Sequence, residues 1–449
     1  MKKNLIFLAI AIPLCFLLAA FAYSLPPVKD KLSWRIDALQ ARIQYAINPP
    51  DEAVFIPVGE VNATPSLAAP SLTPTLLPPS PTIPGSTLTP APTSTPAPSA
   101  TPPPAAITLD GVVYVDQHGR WNYCGPANLT MALKFWGWPG NRDDVAEVVK
   151  PGILSDTSLD LIQRGKTDKN VMPYELADFV IDHTDFNVVV RSGGDIDLVK
   201  RLIAAGFPVL IEKGYYEADY TGKIAWMGHY LFVTGYDDAA GNFIVQDAYL
   251  KPGKNMKSDY PTFLEGWRSF NYLFMVVYPP DRDTEVFSLL GPWADPAWAN
   301  QHALDIADKE KDSLTGNDQF FAWFNKGTSH ANLTQYPEAA SAFDQAFQIY
   351  STLGNDNTQR PYRMLWYQTG PYKAYFYTGR YQDTINLANT TLNDTISEPT
   401  LEESIYWRGM AYWALGQTTE AIADFRETVR LNPNFTPGLD MLAQLGATP

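Results

Sequence analysis

Three side chains of this 449-residue chain together support nucleophilic catalysis: Cys124, His229 and Asp247. A cysteine thiolate attacks a carbonyl carbon, an imidazole moves the proton, and a carboxylate holds the imidazole in one tautomer. Gln117 precedes the cysteine by seven residues. Its side-chain amide is of the type that donates a hydrogen bond to a developing oxyanion. These residues predict a thiol hydrolase.

The cysteine is predicted to lie in the first turn of a helix. Leu129, Leu133 and Trp136 follow it at steps of four and three residues, the spacing of one helix face. Free N–H groups and the helix dipole at an N-terminus favour a thiolate over a thiol. A lone cysteine is more often a small core side chain than a nucleophile. The downstream residues decide between these two interpretations of Cys124.

The histidine and the aspartate are predicted on two paired strands. Residues 228–237 form one apolar, β-rich run that begins with Gly228 and His229, and residues 242–247 form a second that ends at Asp247. A turn over residues 237–241 joins them into an antiparallel hairpin. His229 and Asp247 then lie at the same end of the hairpin, as an imidazole held by a carboxylate requires.

These motifs resemble one known family. Gln117, the Tyr-Cys124-Gly-Pro-Ala element, Gly-His229-Tyr and the strand ending in Asp247 resemble papain-like cysteine peptidases of the bacteriocin-processing, double-glycine-leader type, over residues 110–280. The resemblance implies an α+β papain-like domain. It also implies that Cys124 is the nucleophile, His229 the general base and acid, Asp247 the orienting residue and Gln117 the oxyanion donor.

Two departures from the family pattern limit what is carried over. Asp247 is followed by Ala248, where many relatives have proline. Family members that trim export leaders are commonly fused to transporter domains, and no such domain is recognised in this sequence. The double-glycine substrate is therefore not part of the expectation.

The remaining histidines do not predict a metal site. His118 is interpreted as a loop residue, and His183, His302 and His330 each lack a second His or Cys at ligand spacing. Phosphate-cradling glycine loops are not recognised either. We expect neither a metal nor an organic cofactor.

The last third, residues 281–449, is predicted to be all-α. Asn325 to Ala346 and Trp407 to Pro433 align as two copies of one pattern, with a degenerate copy from Tyr372 to Leu392 between them. The copies resemble tetratricopeptide (TPR) repeats. Stacked repeats of this type offer a surface for a peptide or a protein partner. A repeat array that only stabilises the peptidase domain is the alternative.

The N-terminus carries a segment that enters a membrane. Leu5 to Tyr23 contains no charged residue and follows Lys2 and Lys3. Its length favours an uncleaved single-pass anchor, residues 1–26, over a cleaved signal peptide. The bulk of the chain would then be extracytoplasmic at the cell membrane, or secreted if the segment is cleaved. Cys15 lies inside it, so we expect no disulfide with Cys124.

Two further ranges connect this anchor to the peptidase domain, predicted at residues 107–280. Residues 27–60 are predicted as a juxtamembrane helix. Residues 61–106 are predicted as a disordered linker, because residues 64–104 contain 14 Pro and 15 Ser/Thr. A proline-rich linker extends by about 3.1 Å per residue, so it could hold the peptidase domain on the order of 100 Å from the membrane.

Composition and charge exclude several classes of protein. With 45% hydrophobic residues, most of the chain can bury a core. The formal net charge is −15, which argues against a nucleic-acid partner, because phosphate binding needs clustered basic residues.

Three functions fit these observations. The first is a membrane-tethered cysteine peptidase whose repeats recruit a protein partner. An amidase or transpeptidase acting on cell-wall peptides uses the same side chains. The third is a non-catalytic scaffold with a peptidase-like domain, which the presence of all four expected site residues disfavours.

Overall fold

The computed structural model describes residues 39, 43, 54–61, 103–118, 120, 122–151, 169–218, 224–354, 360–361, 363–393 and 401–449. The predicted membrane segment, Leu5 to Tyr23, lies outside these residues. Within them, no helix is long and apolar enough to span a bilayer.

The first domain is built on one antiparallel sheet, which has seven strands among the described residues. From one edge to the other the order is β2-β7-β3-β4-β5-β6, and β1 pairs with β4. The strands are β1 (Ala106–Thr108), β2 (Asn187–Arg191), β3 (Val209–Ala218), β4 (Ile224–Asp237), β5 (Asn242–Gln246), β6 (Met256–Asp259) and β7 (Phe274–Tyr278).

Helices cover both faces of this sheet. They are α1 (Cys124–Phe135), α2 (Arg142–Val149), α3 (Pro173–His183), α4 (Ile196–Ala204), α5 (Tyr260–Arg268) and α6 (Asp283–Leu290). Successive strand residues point to opposite faces. Leu210 and Phe232 therefore pack beneath α1 and α3, whereas Ile211 and Leu231 pack beneath α4 and α5. The predicted α+β architecture is confirmed for this domain.

The predicted hairpin is present, and its register shifts by one residue between Val233 and Gly235. β4 and β5 pair antiparallel, with Asp237 opposite Asn242 and Phe232 opposite Gln246. Gly241 closes the turn with a φ of 64°, a conformation that glycine adopts without strain.

Local pairing differs from local strand preference near the start of this domain. The residue types of Gly111 to Val115 favour a strand, but this run is not one, and β1 (Ala106–Thr108) pairs with β4 instead. The sheet therefore begins at the end of the predicted linker, where the carbonyl of Pro104 accepts a hydrogen bond from the Tyr236 hydroxyl at 2.7 Å. At the other boundary, Val286 and Leu290 belong to the core of the first domain rather than to the helical repeats.

Residues 54–61 form neither helix nor strand, so the predicted juxtamembrane helix over 27–60 does not include residues 54–60. Pro57 has no backbone N–H for a helix, and Gly59 has a φ of 80°.

The C-terminal region is helical, as expected. Its helices are α7 (Pro296–Ser313), α8 (Gly316–Asn332), α9 (Tyr336–Thr352), α10 (Gly370–Tyr377), α11 (Tyr381–Asn393), α12 (Glu402–Ala414), α13 (Thr418–Leu431) and α14 (Thr436–Gln444). The pairs α8/α9, α10/α11 and α12/α13 coincide with the three sequence copies. In the third copy, a Cβ on Gly409 would lie 2.9 Å from the Phe425 ring, so glycine allows the two helices to approach.

The helical repeats pack directly on the first domain. Trp226 and Phe270 of the sheet domain share a hydrophobic core with Phe321 of α8. A buried ion cluster lies at the same interface, where the Lys169 ammonium is 2.6 Å from the Glu175 carboxylate and 2.8 Å from that of Glu402 in α12. The two domains are therefore joined by both apolar and ionic contacts.

Candidate active site

Cys124 is the first residue of helix α1, as the spacing of apolar residues predicts. Its side chain is buried, with 8% of its surface exposed, and it forms no disulfide. The N-cap residue, Tyr123, makes no side-chain capping hydrogen bond, so the N–H groups of the first turn are not occupied from that position. This location favours a negative charge on the sulfur.

His229 and Asp247 form a buried pair at one end of the hairpin. The His229 Nε2 donates to Asp247 Oδ1 at 3.0 Å, and the two residues are 4% and 3% exposed. The same carboxylate oxygen accepts the backbone N–H groups of Tyr249 at 2.8 Å and Leu250 at 2.9 Å. The carboxylate is therefore fixed before it orients the imidazole. With Nε2 engaged by Asp247, Nδ1 is the ring nitrogen left for the thiol.

The three groups shift one another's pKa in the directions that a thiolate–imidazolium pair requires. Burial raises the pKa of Cys124, but the hydrogen bond and charge of His229, with smaller contributions from the Tyr230 N–H and Lys150, outweigh it and leave the pKa below its usual 9.0. Burial lowers the pKa of His229, but Asp247 and Cys124 raise it to about 10. Burial raises the pKa of Asp247, yet His229 and two backbone N–H groups hold it at about 2.

Asn128, which sequence reasoning missed, connects the helix that begins at Cys124 to the strand that carries His229. Its side chain is fully buried one turn after Cys124. The amide Nδ2 donates to the carbonyl of Cys124 and to that of Tyr230, both at 2.9 Å. The first turn of α1 is thereby fixed to the strand residue that follows His229. An asparagine four residues after the cysteine was the only signal in the sequence.

A second missed residue is the buried carboxyl of Glu212 on β3. Glu212 lies opposite Tyr230 in the β3–β4 register and is 2% exposed. Burial raises its pKa well above the usual value, and the negative charge of Cys124 raises it further. At this position the neutral carboxylic acid is therefore favoured over the carboxylate.

Gln117 lies on the loop beside Asp247. Its backbone N–H donates to the carbonyl of Ala248 at 2.8 Å, and its side chain is 9% exposed. The Oε1 of this amide has no hydrogen-bond partner among the described residues. Its role as oxyanion donor stays a prediction. Ala248, the departure from the family pattern, is fully buried and keeps the backbone contact to Gln117.

A connector of the helical repeats contacts the segments that carry Cys124 and His229. It comprises residues 363–369, between α9 and α10. The carbonyl of Trp366 accepts from Asn170 at 3.4 Å, and Asn170 bonds Asn122, two residues before the cysteine. On the other side, a Cβ on Gly228 would lie 2.8 Å from the Tyr367 ring. The helical region therefore forms part of the boundary of the site.

The other histidines are placed elsewhere. His118 stacks on Tyr249 with ring centroids 6.4 Å apart. His183 packs on Phe179 at 5.2 Å, His302 on Trp298 at 4.7 Å, and the His330 ring bonds Gln335.

In the part of the chain that the structure describes, no group of three or more His, Cys, Asp or Glu residues could hold a metal ion.

Two family models match parts of this chain. Residues 109–275 match the model of the Peptidase_C39 like family, and residues 402–435 match that of the tetratricopeptide repeat. The chain therefore carries a C39-like peptidase domain and a TPR repeat, which confirms the family resemblance of the sequence motifs.

Among solved structures, the chain is similar to one described as a C39-like peptidase from Bacillus anthracis. The identity is 16% and the TM-score 0.29, over 38% of this chain and 96% of the other. A search of curated proteins finds no match.

Proposed function

We propose that this protein is a cysteine peptidase, tethered to the membrane with its folded domains outside the cytoplasm, whose helical repeats recruit a protein partner. The observation that carries the proposal is the buried arrangement of Cys124 at a helix N-terminus beside the His229–Asp247 pair. The match of residues 109–275 to a peptidase family supports it.

In the first half of the proposed reaction, the Cys124 thiolate attacks the carbonyl carbon of a peptide bond. The amide of Gln117 and the backbone N–H of Cys124 donate hydrogen bonds to the carbonyl oxygen and stabilise the negative charge that develops on it. The imidazolium of His229 then gives its proton to the leaving amine, the C–N bond breaks, and a thioester on Cys124 remains.

In the second half, neutral His229 takes a proton from water as the water oxygen attacks the thioester carbon. The C–S bond breaks, the carboxylic acid product leaves, and the proton restores the imidazolium–thiolate pair. Asp247 stays ionised throughout, since its pKa of about 2 lies far below neutral pH. It holds the imidazole with Nδ1 towards the sulfur.

The test is cleavage of a defined mixture of peptides by the full chain, with new termini identified by mass spectrometry. The matched pair is a Cys15→Ala protein and a Cys15→Ala, Cys124→Ala protein, which differ only at the proposed nucleophile. New termini should appear with the first protein and be absent with the second. Equal sets of termini, or none from the first protein while its Cys124 reacts readily with an alkylating agent, would contradict peptidase activity.

The membrane tether rests on the uncharged segment Leu5 to Tyr23. Its test is the fractionation of cells that express the full chain, with accessibility of the folded domains to an added protease. A chain that is membrane-bound and digested from outside fits the proposal, whereas a chain protected inside the cell does not.

A further inference from the structure

A short segment from the N-terminal side of the proline-rich linker binds the helical repeats. Phe55 is 5% exposed, although only residues 54–61 around it are described there. Its ring packs edge-on against Phe347 of α9 at 5.0 Å and against Tyr375 of α10 at 6.0 Å. The repeats therefore provide an aromatic pocket at the junction of two helical pairs.

The same repeats also bind the backbone of this segment. The N–H groups of Val58 and Gly59 donate to the two carboxylate oxygens of Asp383, at 2.8 and 3.0 Å. Asp383 is 1% exposed and is held in place by Arg380 at 2.8 Å. A buried carboxylate needs such donors, because an incompletely paired charge away from water is unfavourable.

The side chains of the segment divide into two sets. Phe55 faces the repeats and is buried, whereas Ile56, Val58 and Val61 are 67%, 59% and 70% exposed. One aromatic side chain of the segment is thus buried while its apolar neighbours are open, as in recognition of a peptide by an aromatic pocket and a backbone acceptor.

We infer that residues 54–61 are an intramolecular ligand of the helical repeats, which holds the N-terminal part of the chain against the folded domains. On the other side of the linker, β1 (Ala106–Thr108) is paired in the sheet. Both ends of residues 62–102 are therefore held by the same folded body. While residues 54–61 are bound, the linker cannot hold the folded domains away from the N-terminal part of the chain. This differs from the spacer role that the proline-rich composition predicts.

The contact need not be strong to persist. A flexible connection between two binding elements gives an effective concentration on the order of 1 mM. Burial of a phenylalanine ring favours the bound segment, and two hydrogen bonds to a charged acceptor add to this. Release of the segment would lengthen the tether by up to about 3.1 Å for each linker residue. Binding of residues 54–61 thus sets the distance between the N-terminal part of the chain and the active site.

The experiment uses the full chain with an affinity tag before residue 54 and a specific protease site inserted between residues 85 and 86. The tagged protein is captured and the linker is cut. The amount of C-terminal part that stays on the resin is then measured over time. The unmodified segment should retain it, whereas Phe55→Ala should release it at least about tenfold faster. Ile56→Ala, a matched truncation of an exposed neighbour, should behave like the unmodified segment.

Equally fast release from the unmodified segment and from Phe55→Ala would overturn the inference, provided that both proteins unfold at the same temperature. A second arm mixes tagged and untagged full chains before the cut. Retention of the untagged chain's C-terminal part would show that the segment binds a second copy, and this would also overturn the intramolecular assignment. Neither arm depends on catalysis, so the result is independent of the proposed peptidase activity.

Discussion

Asn128 is placed to position Cys124, the proposed nucleophile. Its amide bonds the carbonyls of Cys124 and Tyr230, and thereby fixes the distance between the helix and the strand that carry the reacting groups. We expect Asn128→Ala to lower kcat by about ten- to a hundredfold with a smaller change in KM, because a misplaced nucleophile mainly slows the chemical step.

Thr130→Val is the matched control for Asn128. Thr130 is fully buried in the same helix, and its hydroxyl has no hydrogen-bond partner in the described structure. The measurements are kcat, KM and the pH profile of Cys124 alkylation for both variants. An Asn128→Ala protein that is less stable but keeps its kcat and its alkylation profile would mean that Asn128 has only a structural role.

Glu212 should behave as a neutral residue. Because its folded pKa lies well above the unfolded value, its contribution to stability is complete below the unfolded pKa near 4.5 and declines as the pH rises towards the folded pKa. Glu212→Gln removes this decline. We therefore expect its free energy of unfolding to exceed that of the wild type by an amount that grows above about pH 5. Chemical denaturation at several pH values measures this difference, and a constant difference would show that Glu212 is ionised in the folded protein.

The sequence predicts residues that could react but not those that hold them in place. Cys124, His229 and Asp247 were predicted because a nucleophile, a base and a carboxylate are recognisable by chemical type and order. Asn128 and Glu212 carry no such signal. Their roles depend on which carbonyl or strand lies opposite, and that is known only once β3, β4 and α1 are packed together.

The connector at residues 363–369 is an element whose place follows from the packing of the two domains. Tyr367 lies over Gly228, next to His229, and the charge of Cys124 contributes to raising its pKa after burial. We expect Tyr367→Ala to increase the alkylation rate of Cys124 by a bulky maleimide severalfold, because the ring fills space beside the site.

Tyr377→Ala is the control for the connector, since Tyr377 is 40% exposed on the same helical region. It should leave the rate unchanged. Equal rates in the Tyr367→Ala protein and the wild type would place Tyr367 away from the path to the thiol.

Strands and turns were predictable where local pattern decides them. The alternating residues and the glycine turn of the β4–β5 hairpin predict both strands, and both are present. The run Gly111 to Val115 has the same local preference, but the edge of β4 is already paired with residues 106–108. Tertiary competition of this kind is not encoded in a window of a few residues.

At the scale of the whole molecule, the ion cluster of Lys169, Glu175 and Glu402 joins the peptidase domain to the repeats. Lys169 is 1% exposed, and its ammonium is shared by both carboxylates. Lys169→Met should lower the free energy of unfolding by about 3 to 5 kcal/mol, because two buried carboxylates lose their counter-charge.

The control for the ion cluster is Lys326→Met, since Lys326 pairs with Asp308 at 2.6 Å on the surface. That change should lower the free energy of unfolding by less than about 1 kcal/mol. Denaturant titration of both variants gives the comparison. Equal losses would mean that the interface cluster contributes no more than an exposed ion pair.

The way the two domains pack against each other could not be predicted from sequence patterns. The two domain types and the repeat copies were predicted from periodicity and motifs, and the third copy coincides with the matched TPR repeat. The shared core around Trp226 and Phe321, and the binding of Phe55 by the repeats, join residues that are far apart in the chain. No local signal specifies such pairs.

The most direct test of the catalytic pair is the pH dependence of Cys124 alkylation in the full chain with Cys15→Ala, compared with the same protein carrying His229→Ala. The account predicts half-maximal reactivity below pH 9.0, because the influence of His229 on the thiol outweighs burial. Without His229, burial remains as the larger cause, and the midpoint should move above that value. A midpoint that is at or above pH 9.0 and the same in both proteins would show that Cys124 and His229 do not form an activated pair.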